Sequence, residues 1–112
     1  FCFAQNAKAI IGKPIKIGNI LVAQNDFPDY SAMSWDDAKK ACRALGEGWR
    51  LPNKAELNIL YINRKNIKIL NSWYWSSTEH NRDGAWAQSF KSGDQLFQPK
   101  GGYFFFRAVK SL

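Results

Sequence analysis

Apolar residues recur at helical spacing in a segment that begins near residue 34. This stripe is followed by a glycine-rich stop and consists of Trp35, Ala38, Ala41, Cys42 and Leu45. Such spacing places the apolar side chains on one face of a helix, while charged residues occupy the other faces. Ser34 and Asp37 have the spacing of a capping box, which predicts that the helix begins there and that Gly46 ends it.

A second helix is predicted after Pro52, over residues 54–61. Asn53 and Glu56 repeat the capping-box spacing and open this helix. The residues that would face inward are Leu57, Leu60 and Tyr61. The basic run 64–70 that follows is compatible with either a helical extension or a loop.

The remaining chain has the period-two pattern of strands separated by turns. The strands are predicted over 15–17, 20–24, 73–78, 85–91 and 103–110. Gly18-Asn19 and Asp83-Gly84 have the composition of tight turns, and residues 92–95 supply another turn. Together these elements predict an α+β fold, with two short helices packed on a small, mainly antiparallel, twisted sheet.

Residues 1–14 carry little pattern and precede a single domain over residues 15–112. The opening Phe1-Cys-Phe-Ala-Gln5 is typical of the end of a secretory signal, and the alternative is a strand. Two cysteines permit one bridge, Cys2 to Cys42. Because Cys42 lies on the apolar helix face, a buried free thiol is favoured.

Four separated motifs occur in an order that resembles one known family. They are Trp49-Arg-Leu-Pro52, Tyr74-Trp-Ser-Ser-Thr-Glu79, Ala85-Trp86 followed by Phe90, and Phe106-Arg-Ala-Val-Lys110. Over residues 18–110 the chain resembles the bacterial Lcl C-terminal domain, the head of a collagen-like adhesin. The resemblance implies a C-type-lectin-like fold, related also to formylglycine-generating enzymes, that serves in extracellular recognition. It further implies an oligomer or larger surface assembly, because collagen-like relatives carry the domain on trimeric stalks.

Composition is that of one globular domain. The 112 residues are 46% hydrophobic and 15% aromatic, with a mean hydropathy of −0.40. No apolar run approaches the roughly 18 residues that a membrane-spanning helix requires. We therefore expect no transmembrane segment and, from the N-terminal pattern, a secreted or surface-displayed bacterial protein.

The charge indicates an anionic partner. Sixteen basic residues exceed nine acidic ones, which gives a net charge of +7, and residues 57–112 hold eight of the bases against three acids. A merely solvated basic surface is the alternative. Nucleic acid is not expected as a partner, because the sequence has neither a basic recognition helix nor an aromatic-basic strand motif.

Patterns for catalysis and metal binding are absent from the sequence. Glu79, Asn81 and Asp83 resemble the start of a calcium loop, but Phe90 occupies the position of the final bidentate acid, so a polar hairpin is the default. His80 is the single histidine and has no partner at a recognisable spacing. We therefore expect no enzymatic activity, no cofactor and no metal.

The candidate ligand-binding residues are loop bases with the polar and aromatic residues beside them. They are Arg64, Lys65, Lys68, Tyr74, His80, Asn81, Arg82, Lys91, Lys100 and Tyr103. We expect them to bind an anionic polysaccharide, and a protein-binding or structural role in a surface assembly is the alternative. Loops 79–84 and 92–102 should converge, so that Arg82 and Lys100 share a surface. Four tryptophans are predicted in the core: Trp35, Trp49, Trp75 and Trp86.

Overall fold

The computed structural model describes residues 3–27 and 32–112, with side chains from residue 7 onward. These residues form three helices and seven strands. In chain order they are α1 (Phe3–Ile11), β1 (Ile15–Ile17), β2 (Ile20–Val22), α2 (Trp35–Arg43), β3 (Trp49–Arg50), α3 (Lys54–Ile62), β4 (Trp73–Glu79), β5 (Gly84–Ser89), β6 (Gln95–Pro99) and β7 (Val109–Ser111).

The strands are arranged in two antiparallel sheets. The first has four strands in the order β1-β2-β7-β3, and the second has three in the order β4-β5-β6. An isolated parallel bridge between Tyr74 and Phe105 connects the second sheet to the segment that leads into β7. The predicted α+β class is confirmed, and the β strands divide into two small sheets.

The N-terminal segment is helical from residue 3 to residue 11, so the strand alternative is wrong. Ile10 is buried, and the carbonyls of Ile11 and Ile10 accept the N–H groups of Gln24 and Asn25 at 3.0 and 3.1 Å. These bonds tie the end of α1 to the segment after β2. Residues 1 and 2 lie outside the described ranges, and the prediction of a secretory signal in residues 1–5 is not tested.

Helix α2 begins at Trp35 and buries the predicted apolar stripe. The predicted capping box is wrong, because the Ser34 side chain makes no capping hydrogen bond. The N–H of Trp35 donates instead to the carbonyl of Lys100 at 3.0 Å, so a distant segment helps to satisfy this helix end. Cys42 on the buried face is a free thiol, as predicted, and burial raises its pKa.

Helix α3 confirms its predicted cap. Asn53 Oδ1 accepts the N–H of Glu56 at 2.8 Å, and Glu56 Oε1 accepts the N–H of Asn53 at 2.9 Å. The Glu56 carboxylate also receives two hydrogen bonds from Arg50 at 2.7 and 2.9 Å, and these bonds lower the pKa of Glu56. The helix therefore has a fixed start, and Leu57 and Leu60 are buried beneath it.

Two clusters of buried side chains cover the two faces of β4 and β5. Trp75 and Ala87 belong to the cluster that includes α2, whereas Tyr74 and Phe90 belong to the cluster that includes Leu57 of α3. The predicted core positions of Trp35, Trp49 and Trp75 are confirmed. Trp86 is only half-buried, because its side chain lies on the α3 side of the sheet beyond the end of the second cluster.

Tyr74 is fully buried, so its predicted place on a binding surface is wrong. Its hydroxyl donates to Asp26 Oδ2 at 2.5 Å and accepts the N–H of Leu70 at 3.1 Å. Asp26 also accepts from Arg107 Nε at 2.7 Å, and Arg107 donates further to the carbonyls of Ala23 and Lys68. Tyr74 thus belongs to a buried polar network that joins three loops.

The C-terminal region differs from the predicted pattern in two places. Residues 95–99 form β6 within what was expected to be a loop over 92–102. Most of the strand predicted over 103–110 is irregular, with regular pairing only in β7. Phe104 and Phe105 make only isolated bridges because this stretch crosses from one sheet to the other.

Candidate functional site

The candidate binding residues separate to the two ends of the three-stranded sheet. We call residues 79–84 with 99–101 the hairpin end, and residues 61–72 with 89–94 the basic end. The register of β5 and β6 determines this division, because Gly84 pairs with Pro99 at one end and Gln88 pairs with Gln95 towards the other. The ten predicted residues therefore cannot form one continuous site.

At the hairpin end, the segments that carry Arg82 and Lys100 converge as predicted, whereas residues 92–94 of the predicted loop 92–102 lie at the other end of the sheet. The N–H of Lys100 donates to the carbonyl of Asp83 at 2.9 Å, which joins the two segments. Both cations, however, have acidic neighbours. Lys100 forms an ion pair with Glu79, and Arg82 Nε lies 3.8 Å from Asp83 Oδ1. This end is electrically balanced, which disfavours it as the main site for an anion.

An exposed aromatic cluster also lies at the hairpin end. The rings of His80 and Phe97 stack in parallel with centroids 4.0 Å apart, and Trp86 packs edge-on against both, at 5.6 Å from His80 and 5.9 Å from Phe97. The ammonium of Lys54 lies 3.5 Å from the centroid of the Trp86 ring. We call His80, Trp86 and Phe97 the aromatic cluster.

Asn81 organises the turn beside this cluster. Its Oδ1 accepts the N–H groups of Asp83 and Gly84 at 2.9 and 2.8 Å, which is the geometry of an Asx turn. A small pocket of about 200 Å³ opens beside it, lined by Asn81, Asp83, Gly84, Phe97 and Pro99. In the described ranges, no three His, Cys, Asp or Glu residues are grouped so as to hold a metal ion.

The basic end gathers four other candidate cations. Arg64 lies over the ring of Tyr61 at 4.1 Å and donates to the Tyr61 carbonyl at 2.8 Å. The same ring contacts the turn at Gly93, where a Cβ atom would lie 2.8 Å from Tyr61 Cε2. Lys65, Lys68 and Lys91 are exposed on the two segments that this contact joins. Segments 61–72 and 89–94 contain these four bases and a single acid, Asp94.

A shallow groove of about 690 Å³ separates α3 from β6. It is lined by Asn53, Lys54, Ala55, Asn58, Ile59, Thr78 and Gln95. A chain of side-chain amides holds its walls together, because Gln95 donates to Gln88 at 3.0 Å and Gln88 donates to Asn58 at 2.9 Å. Tyr103 lies elsewhere, 70% exposed in the segment between the two sheets.

Phe97, Trp86 and Lys54 were not predicted as surface residues of a site. The turn predicted at residues 92–95 and the alternation of Gln95-Leu-Phe-Gln-Pro99 could have revealed β6, and the hairpin register would then have placed Phe97 beside Trp86. The side-chain position of Lys54 had no comparable signal, because it depends on how α3 packs against the sheet.

The arrangement of three helices, two antiparallel sheets and exposed loop ends defines a C-type-lectin-like α+β domain. The chain belongs to the Lcl C-terminal domain family, whose model matches residues 14–110. No curated protein gives a significant sequence match. No helix within the described ranges is long and apolar enough to cross a membrane.

Solved structures confirm the fold. The chain is similar to botrocetin, with a TM-score of 0.68 and 13% identity over 90% of this chain and 98% of botrocetin. It is also similar to a chain in a complex of botrocetin with a mutant A1 domain of von Willebrand factor, with a TM-score of 0.63, 13% identity and the same coverage. At this identity the likeness concerns the fold.

Proposed function

We propose that this chain is a non-enzymatic recognition domain, secreted or displayed on a bacterial cell surface, that binds an anionic polysaccharide through its basic end. The observation that carries the proposal is the local charge of four bases against one acid in segments 61–72 and 89–94. The equivalent count at the hairpin end is two bases against two acids, in residues 79–84 and 99–101. An anionic ligand is therefore attracted to the basic end in preference.

The side chains of the basic end suit sulfate and carboxylate groups. Arg64 is held against the Tyr61 ring, so its guanidinium loses little freedom when it pairs with an anion. A guanidinium can bind a sulfate or carboxylate group with two parallel hydrogen bonds. Lys65, Lys68 and Lys91 are exposed and add attraction that weakens as salt rises.

The family and the fold support a recognition role. One of the similar structures is a complex of botrocetin with a von Willebrand factor A1 domain, so a protein with this fold takes part in a protein complex. Folds of this kind carry variable loops on a rigid scaffold, and the loops determine the ligand. The basic end is formed by two such connecting segments.

Heparin-affinity chromatography tests the proposal. Lys65→Glu/Lys91→Glu reverses two exposed charges at the basic end, and we expect it to elute at clearly lower salt than the parent chain. The matched control Lys16→Glu/Arg82→Glu makes the same change in net charge at exposed positions outside the basic end. Exposed charges contribute within about 0.5 kcal/mol to stability, so both variants should remain folded.

Equal losses of retention in the two double variants would overturn the site, because total charge alone would then explain binding. Retention of the parent chain on neutral dextran, or binding to heparin that is insensitive to salt, would contradict the anionic ligand. Chondroitin sulfate and a carboxylated, unsulfated polysaccharide then distinguish the two anionic groups.

The alternative function is protein binding or a structural role in a surface assembly. Ile59 and Ile62 favour it, because both are exposed on α3, at 42% and 67%, and Ile59 also lines the groove beside β6. Light scattering at high protein concentration tests self-association. A strictly monomeric chain whose behaviour is unchanged by Ile59→Asp/Ile62→Asp would argue against this function.

A further inference from the structure

The exposed ring of Phe97 is held in place by its neighbours. Its side chain is 54% exposed, yet His80 covers one of its faces in a parallel stack at 4.0 Å. Trp86 supports it edge-on, and the hairpin positions His80, whose N–H donates to the carbonyl of Gly84 at 2.9 Å. A rigid exposed ring loses little entropy when a ligand stacks on it.

Polar groups lie beside this ring. The pocket against Phe97 is lined also by Asn81, Asp83, Gly84 and Pro99. Asn81 Oδ1 is engaged by two backbone N–H groups, so its amide nitrogen is oriented as a hydrogen-bond donor. The Asp83 carboxylate is 86% exposed and provides acceptors. We propose that this pocket binds a neutral pyranose sugar. The sugar ring stacks on Phe97, and its hydroxyl groups form hydrogen bonds with Asn81 and Asp83.

Charge and shape select this class of ligand over charged ones. The ion pairs of Arg82 with Asp83 and of Lys100 with Glu79 leave no excess charge to attract an anion. An organic cation that stacked on the aromatic cluster would be repelled by the nearby Lys54, whose ammonium already lies over Trp86. A pyranose has an apolar C–H face for the ring and a rim of hydroxyl groups for the donor and acceptor.

Gly84 leaves room for such a ligand. A Cβ atom at this position would lie 3.6 Å from Phe97 Cδ2 and 3.5 Å from Asn81 Oδ1, within the lining of the pocket. It would also lie 3.3 Å from the carbonyl of Gln98, so that the pairing of β5 with β6 would adjust by only a few tenths of an ångström. Gly84→Ala therefore narrows the pocket without removing any proposed binding group.

Saturation-transfer NMR with methyl β-D-galactopyranoside and methyl β-D-glucopyranoside tests the proposal on the whole chain. We expect transfer from protein aromatic protons to the C–H groups on one face of at least one of these sugars, unaffected by added salt. Phe97→Ala should weaken binding by about tenfold or more, as expected when a central aromatic anchor is truncated. Gly84→Ala and Asp83→Asn should weaken it as well.

Leu96→Ala is the matched control. Leu96 is 51% exposed and adjacent to Phe97, but consecutive strand residues point to opposite faces. We expect the Leu96→Ala variant to bind the glycosides as the parent chain does. An absence of transfer to both glycosides would falsify the proposal. Equal binding by the parent chain and Phe97→Ala would overturn it, and so would equal losses of binding in Phe97→Ala and Leu96→Ala.

The result is independent of the polysaccharide site proposed above. Lys65→Glu/Lys91→Glu alters the basic end at the other end of the sheet and should leave neutral-sugar binding unchanged. If that variant abolished binding of the neutral glycosides, the sugar would lie at the basic end and the Phe97 pocket would not be its site.

Discussion

Arg107 carries a positive charge at a position that is 1% exposed, and two loops, at residues 23–26 and at Lys68, supply its partners. Its guanidinium pairs with Asp26 Oδ1 at 2.7 Å and donates to the carbonyls of Ala23 and Lys68. Asp26 is 81 residues away along the chain. Burial raises the pKa of Asp26, while the positive charge of Arg107 opposes this effect. Removing one member of such a pair leaves the other charge buried without compensation.

We therefore expect Asp26→Asn to lower the free energy of unfolding by about 3 kcal/mol or more, as measured by urea denaturation at neutral pH. Tyr74→Phe is the milder comparison. It removes one hydroxyl from the same network and leaves the N–H of Leu70 without its acceptor, which costs about 1–3 kcal/mol. An Asp26→Asn variant as stable as the parent would show that the ion pair contributes nothing net to stability.

Glu56 gives a second prediction at the residue scale, for acid pH. Its pKa is lowered by the hydrogen bonds from Arg50, so its contribution to stability is present above its unfolded value near 4.5 and is lost as pH falls through the lower folded value. Glu56→Gln keeps a side chain that can complete the capping box but loses the ion pair.

The parent should therefore exceed Glu56→Gln in stability by about 0.5–1 kcal/mol at pH 7, and the difference should vanish towards pH 3. Urea denaturation at several pH values measures it. The contribution of Asp26 to stability changes with pH in the opposite direction. The pKa of Asp26 is raised in the folded state, so its contribution is present below the pKa of the unfolded chain and is lost as pH rises. Both proteins retain Asp26, so it cancels in the comparison.

At the scale of elements, the turn between β5 and β6 packs against the last turn of α3 at Tyr61. Gly93 has φ of 88°, and a Cβ atom there would lie 2.8 Å from the Tyr61 ring. A side chain at this position must adopt a strained backbone and displace a ring that Arg64 and Phe90 also contact.

We expect Gly93→Ala to lower the free energy of unfolding by about 1–2 kcal/mol. Gly101→Ala is the control, because a Cβ atom at Gly101 meets nothing within 4 Å. Thermal unfolding followed by circular dichroism compares the two. Similar melting temperatures for both variants would mean that Tyr61 moves aside at no cost.

The elements that were predicted correctly are those specified by local pattern. The capping residues and the apolar positions that define helix α3 all lie within ten consecutive residues. The hairpin of β1 and β2 is defined by a two-residue turn of a preferred composition. Strand β6 was missed because five residues between a turn and Pro99 give a weak period-two signal. The burial of Tyr74 could not be predicted, since alternation identifies two faces but not which elements cover them.

The candidate site was predicted in composition but not in arrangement. The segments that carry Arg82 and Lys100 were expected together and do converge, but the neutralisation of these cations by Asp83 and Glu79 depends on side-chain placement across the hairpin. The cations at residues 64–68 and 91 were identified from charge alone. Their gathering at the other end follows from the β5–β6 register and from the packing of Tyr61 on Gly93.

On the scale of the whole molecule, the three-stranded sheet separates two surfaces of different chemistry. One end has an excess of positive charge, and the other is electrically balanced and aromatic. The proposed ligands differ accordingly in their response to ionic strength: binding at the basic end weakens with salt, whereas stacking on Phe97 does not. A titration of each ligand in low and high salt therefore assigns each to its end.

The buried thiol of Cys42 allows opening of the fold to be measured by chemical modification. The side chain is inaccessible in α2, and burial raises the pKa of the thiol, so that both contact with a reagent and formation of the reactive thiolate are suppressed. In a Cys2→Ser background, a disulfide reagent such as Ellman's reagent should modify Cys42 only during opening events. The rate at which Cys42 is modified in water should then give the same free energy of opening as urea denaturation. Much faster modification would reveal that α2 detaches from the sheets while the remaining fold persists.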